Sequence, residues 1–205
     1  MGRYVVAVTG ASGAAYARRL VGALASAAHE VDLLVTAAGF AVLAHELDWE
    51  DARYGGEGGL AARCQRFFVP PGAPGRLRFH PIHNVLDDLG SGSVRTDGMV
   101  VIPCTMGRIA AIATGRSSDV LERAADVTLK EGRRLIVVPR ETPLSLIHLR
   151  NLTALAEAGA VIMPAMPGFY HRPSGIADLV DFVAGKVLAR LGLPQDLLAP
   201  WSDLK

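Results

Sequence analysis

Lysine is almost missing from this 205-residue chain: Lys130, Lys186 and Lys205 stand against 18 arginines. Arginine and lysine differ in chemistry, so a lysine kept in so arginine-rich a chain attracts notice. Cysteine is scarce too. Cys64 and Cys104 cannot build a disulfide framework and form no CxxC pair, which fits a reducing cytoplasm. Net charge is nearly absent, at +1, so no general field favours nucleic acid or a membrane surface. A long apolar run is lacking as well: residues 1–8 pass into TGASG too soon to serve as a signal peptide or membrane span. His148 and His171 have no ligand spacing with other donors, so no metal is assigned. Asp87–Asp88 is an isolated acidic pair, which argues against magnesium-dependent diphosphate chemistry. Aromatics make up only 6%, yet half the residues are hydrophobic, leaving Ala, Val, Leu and Ile to fill a core.

The apolar residues fall into an alternating pattern. RYVVAV at 3–8, EVDLLVT at 30–36, GMVVIPC at 98–104 and RRLIVVPRE after Gly132 read as strands, and AVIMPAMPGFY at 160–170 as a strand leading into a loop. Their β-branched runs are continuous, as in central parallel strands buried on both faces. Helical stretches separate them, and Gly132 is a plausible helix stop. Strands alternating with helices predict an α/β fold, a doubly wound parallel sheet in a three-layer sandwich, as one domain over 1–205. Residues 53–81, rich in Gly, Pro and Arg, are expected to form a loop or arm, residues 82–90 a short helix, and residues 194–205 a tail.

On such folds ligands bind at the carboxyl ends of strands. Two turns there suit a phosphate. In TGASG, Gly10 permits positive φ and close backbone approach, and Ser12 is a candidate helix cap; a tight strand-to-helix turn explains the same residues. In PCTMGR, Pro103 ends a strand while Thr105 and Gly107 open a helix. Two anion-friendly helix starts on one edge fit a mononucleotide flavin, and Cys104 fits a small buried residue better than a nucleophile. Arg123 and Lys130 lie seven apart on one helix face, and Arg140–Glu141 end the next strand. Three cations beside a carboxylate suit a phosphate clamp with an acid/base, although ion pairing along a helix surface explains them as well. Tyr170 follows the last strand, and Lys186 interrupts an apolar helix where a snorkelling lysine is equally natural.

Taken in order, TGASG, SGS (91–93), GMVVIPCTMG, RAADVTLKE, VPRETPL, GAVIMPAMPGFYHRP and LVDFVAGKVLARLG resemble the UbiX-type flavin prenyltransferases. The resemblance covers most of 3–50 and nearly all of 91–193. It implies a flavodoxin-like or Rossmann-like fold, a homo-oligomer as large as a dodecamer, and transfer of a dimethylallyl group to N5 and C6 of reduced FMN without a metal. The product, prenylated FMN, serves a UbiD-type decarboxylase. Carried over residue by residue, the resemblance places FMN against Gly10, Ala11, Ser12, Thr36, Thr105, Met106, Gly107, Arg108, Arg123 and Arg140. Dimethylallyl phosphate would meet Lys130, Arg140, Tyr170 and Lys186, with Glu141 as acid/base, Ser12 near flavin N5, and Trp201 packing nearby from the tail. The catalytic set it implies is thus Glu141, Ser12 and Lys130.

Three departures from the family pattern stand out. Thr105 replaces the usual Ser and keeps the hydroxyl; Lys186 replaces a common Arg and loses the bidentate fork; residues 53–81 are longer and richer in Gly and Pro than the family leads one to expect. A cysteine decarboxylase on the same fold would carry PASANT-like and PxMN-like stretches where this chain has PCTMGR and PAMPGFY. A non-catalytic FMN-binding module would need neither Glu141 nor Lys130. The residues leave monophosphate and diphosphate donors equally open.

Overall fold

A computed structural model describes residues 1–50, 56–84 and 86–198. The six strands are β1 (Arg3–Val8), β2 (Glu30–Val35), β3 (Arg76–His80), β4 (Gly98–Cys104), β5 (Leu135–Pro139) and β6 (Val161–Ile162). They form one sheet in the order β3-β2-β1-β4-β5-β6, and every pairing is parallel. The order reverses between β1 and β4, so the crevice for a ligand opens where those two strands end. Of the four inner strands, β4 and β5 are buried along their whole length, and β2 carries the buried Asp32 within its apolar run.

Helices cover both faces. On one side α1 (Ala14–Ser26), α2 (Ala37–Leu47), α3 (Gly59–Phe68) and α7 (Ile176–Leu191) pack Leu20, Leu43, Phe67 and Val183 against Val6, Leu33 and Val100. On the other, α4 (Met106–Ala113), α5 (Val120–Lys130) and α6 (Leu146–Glu157) pack Ile109, Leu121 and Leu155 against Val5, Val101 and Val137. The expected three-layer sandwich is therefore observed. Among the described residues no helix is long and apolar enough to cross a membrane.

Two segments differ from expectation. Within 53–81, whose first three residues lie outside those described, the structure places α3 and β3 instead of a loop or arm. Helix α3 buries Cys64, Phe67 and Phe68, and β3 extends the sheet by pairing with β2. Of the strand and loop expected over 160–170, only Val161–Ile162 is strand; Met163 and Ala165 still donate to the Val137 and Pro139 carbonyls at 2.9 and 3.0 Å, and Pro167, next on that side, has no N–H to give. A single 3₁₀ turn over Asp88–Gly90 stands where residues 82–90 were expected to be helical.

Candidate functional site

The turn after β1 is built differently from its sequence reading. Gly10 is not among the positive-φ glycines; it lacks a side chain because an added Cβ would lie 2.5 Å from the Ala38 Cβ of α2. Gly13 takes the left-handed conformation, at φ 110°, and is the N-cap of α1. Ser12 does not cap that helix. The cap comes from Glu46 on α2, whose carboxylate accepts from the amides of Gly13 and Ala14 at 2.9 Å each. This carboxylate was not foreseen from the sequence, since 33 residues separate it from Gly13. Burial opposes its ionisation, but the Ser12 hydroxyl, the two amides and the charge of Arg140 outweigh burial and hold its pKa below the ordinary carboxylate value. The exposed amides read as a phosphate cradle thus already hold an anion.

Thr36 directly follows β2 and caps α2, accepting from the Gly39 amide at 2.9 Å, so its hydroxyl hydrogen is left for another acceptor. Thr105 caps α4 in the same way, accepting from the Arg108 amide at 3.4 Å. Ala11 and Met106 are buried, while an added side chain at Gly107 would meet open space. Strand β4 runs through Pro103 to Cys104, so Pro103 does not end it. Cys104 is fully buried, and burial pushes its thiol up to about 12, which suits a packing role.

At the end of β5 the Arg140 amide donates to the Cys104 carbonyl at 3.3 Å, which holds Arg140 beside the PCTMGR turn with its side chain exposed. Glu141 is exposed and its carboxylate accepts from the Thr142 amide at 3.0 Å. Beyond β6, the Tyr170 ring meets Phe182 edge-on at 5.7 Å, and Lys186 Nζ lies over the same Phe182 ring at 5.6 Å. Lys186 borders a cavity of about 490 Å³ lined by Met163, Pro164, Met166 and Phe182.

The flavoprotein family model matches residues 2–188. A flavin prenyltransferase UbiX of Halalkalibacterium halodurans is 43% identical over 204 residues, covering 98% of this chain and 94% of that protein. This chain belongs to the UbiX flavin prenyltransferase family. Its fold matches the crystal structure of AnUbiX (PadA1) in complex with FMN and dimethylallyl pyrophosphate, with TM-score 0.83, 36% identity and coverage of 98% of this chain and 97% of that one. It also matches a dodecameric FMN-dependent UbiX-like decarboxylase from Escherichia coli O157:H7, with TM-score 0.82, 34% identity and coverage of 97% and 98%.

Set against the UbiX-type expectations, the structure gathers Gly10, Ala11, Ser12, Thr36, Thr105, Met106, Gly107, Arg140 and Glu141 at one carboxyl edge of the sheet. Three cations are placed elsewhere. The Arg108 guanidinium is held by Asp119 and the buried Glu122, each at 2.6 Å, so it turns from the crevice toward α5. Arg123 donates to the Gly90 carbonyl and pairs with Asp126 at 2.8 Å. Lys130 ends α5, pairs with Glu131 at 2.9 Å and lies against Gly92, at the edge where β4 and β5 begin. Five residues of β5 separate that edge from Arg140, about 16 Å at about 3.3 Å per residue. One chain therefore does not join Lys130 to Arg140 and Glu141 in a clamp. Trp201 lies outside the described residues.

Proposed function

We propose that this chain transfers a dimethylallyl group from a dimethylallyl phosphate to N5 and C6 of reduced FMN, making prenylated FMN for a UbiD-type decarboxylase. The observation that carries the reading is the meeting, at the β1–β4 crevice, of an ionised carboxylate bonded to a serine with an exposed Arg–Glu pair: Ser12 and Glu46 on one side, Arg140 and Glu141 on the other. FMN supplies the nucleophilic ring. As the allylic C–O bond breaks, phosphate departs with the electron pair. Arg140 neutralises that charge and Glu141 supplies a proton. Glu46, held ionised, is placed to receive a proton through Ser12.

Lys130 takes part from a neighbouring subunit, since its own chain holds it at the opposite edge. Large exposed apolar side chains around the crevice, Ile147 at 68%, Met166 at 67% and Phe169 at 70% exposure, fit burial in a homo-oligomer. Two unpaired cysteines fit work in the cytoplasm. The deciding experiment incubates the protein with reduced FMN and dimethylallyl phosphate without oxygen and weighs the flavin by mass spectrometry. A flavin heavier by one dimethylallyl unit is expected. Recovery of unchanged FMN alone, or release of carbon dioxide from a cysteine-ending peptide, overturns the reading.

A further inference from the structure

The crevice lies between two turns that belong to different strands, and the means by which they are joined is unusual. Strands β1 and β4 pair in register from Tyr4↔Gly98 to Ala7↔Val101. The ladder stops there, two residues short of Pro103, whose nitrogen carries no hydrogen to continue it. Thr9, only 1% exposed, takes over. Its hydroxyl donates to the Pro103 carbonyl at 2.7 Å and accepts from the Thr105 amide at 2.9 Å. Its own amide also donates to Pro103, at 3.3 Å. One side chain thus splices two strand ends across the proline. The spliced residues lead straight into the two turns. Thr9 precedes Gly10–Gly13, and Thr105 is the cap residue that opens α4. Gly13 lies close to the spliced proline: a Cβ added there would sit 4.0 Å from the Pro103 Cβ.

We propose that Thr9 is a positioning residue for the flavin site: its hydroxyl sets the separation of the Gly10–Gly13 and Thr105–Arg108 turns, and thereby the fit of FMN between them. It does so without touching the ligand. The inference rests on the FMN reading above. A hydroxyl is required because a methyl in its place can neither donate to the Pro103 carbonyl nor accept from the Thr105 amide; the half-buried amide then loses this partner, and the carbonyl keeps only the longer 3.3 Å bond from the Thr9 amide. The turns would relax apart to satisfy them.

The test is FMN affinity by flavin fluorescence in the wild type, Thr9→Val and Thr9→Ser, with fold and thermal stability followed by circular dichroism. Valine keeps the shape and removes the hydroxyl; serine keeps the hydroxyl. We expect a folded Thr9→Val that binds FMN at least about tenfold more weakly and a Thr9→Ser within about threefold of wild type, the tenfold loss corresponding to about 1.4 kcal/mol. A folded Thr9→Val that binds within about threefold of wild type overturns the proposal. Should valine not fold, Thr9→Cys, with its weak donor and acceptor, is read on the same criterion. Failure of both to fold assigns Thr9 to the core alone and also overturns it. If the wild type itself binds no FMN, the functional reading fails instead, so the two failures are told apart.

Discussion

Replacing Glu46 by Gln tests the assembly of the crevice most directly. The carboxylate accepts from two amides at the first turn of α1 and from the Ser12 hydroxyl. Glutamine keeps the shape but presents an NH₂ to at least one of those donors. A carboxylate at a helix N-terminus contributes about 0.3–1 kcal/mol when exposed and up to about 2 kcal/mol when partly buried. Glu46 is half-buried, so a loss of about 1–2 kcal/mol at pH 7 is expected. For a domain of this size that is a fall of about 2–8 °C in Tm. The dependence on pH follows from the sign of the shift. The folded pKa lies below the unfolded value of 4.5, so the contribution is complete above that value. It declines as pH falls beneath 4.5 and is gone once pH has dropped through the depressed folded value. The assay is urea unfolding of wild type and Glu46→Gln from pH 7 downward. Equal stability at pH 7, or a difference unchanged down to the acid limit, refutes the reasoning.

Glu141→Gln should retain FMN binding and lose about 10²–10⁴-fold in single-turnover formation of prenylated flavin, the usual worth of general acid–base catalysis; turnover within about threefold of wild type removes Glu141 from the mechanism. Lys130→Met and Arg140→Met are expected to be inactive separately and to recover activity when unfolded together and reassembled, because a mixed oligomer contains sites with both cations; no recovery places the two groups in one subunit or leaves Lys130 without a role. His80 bridges Asp32 at 2.9 Å and Asp87 at 2.8 Å. Burial opposes its charge, but the two carboxylates prevail and raise its pKa above 6.5, so its contribution is full below 6.5 and is lost as pH rises through the folded value. Wild type should therefore exceed His80→Gln by about 1.5–3 kcal/mol at pH 6, the worth of hydrogen bonds to a charged group, with the gap narrowing in alkali; a gap independent of pH contradicts this.

The sequence by itself determined the inner sheet and its helices. A parallel strand buried on both faces is largely apolar along its length, and the YVVAV and LIVVP runs announce this without context. Strand β3 was hidden because it lies at the sheet margin, where RLRFH alternates exposed arginines with half-buried residues, and neighbouring prolines and glycines masked the short helix α3. The chemistry divides along the same line. Short-range signals were legible in part: Thr105 as the residue that opens a helix and Arg140–Glu141 placed by the end of β5, whereas Ser12, read as a helix cap, does not cap α1. Only the tertiary structure decided that Glu46 caps α1, that Ala38 forbids a side chain at Gly10, that Arg108 belongs to Glu122, and that Lys130 faces the opposite edge from Arg140. A strand or helix is written in its own residues through local periodicity. A contact between residues 33 apart, or the edge of a sheet toward which a helix end points, depends on how whole elements pack, and nothing in the neighbouring sequence encodes it.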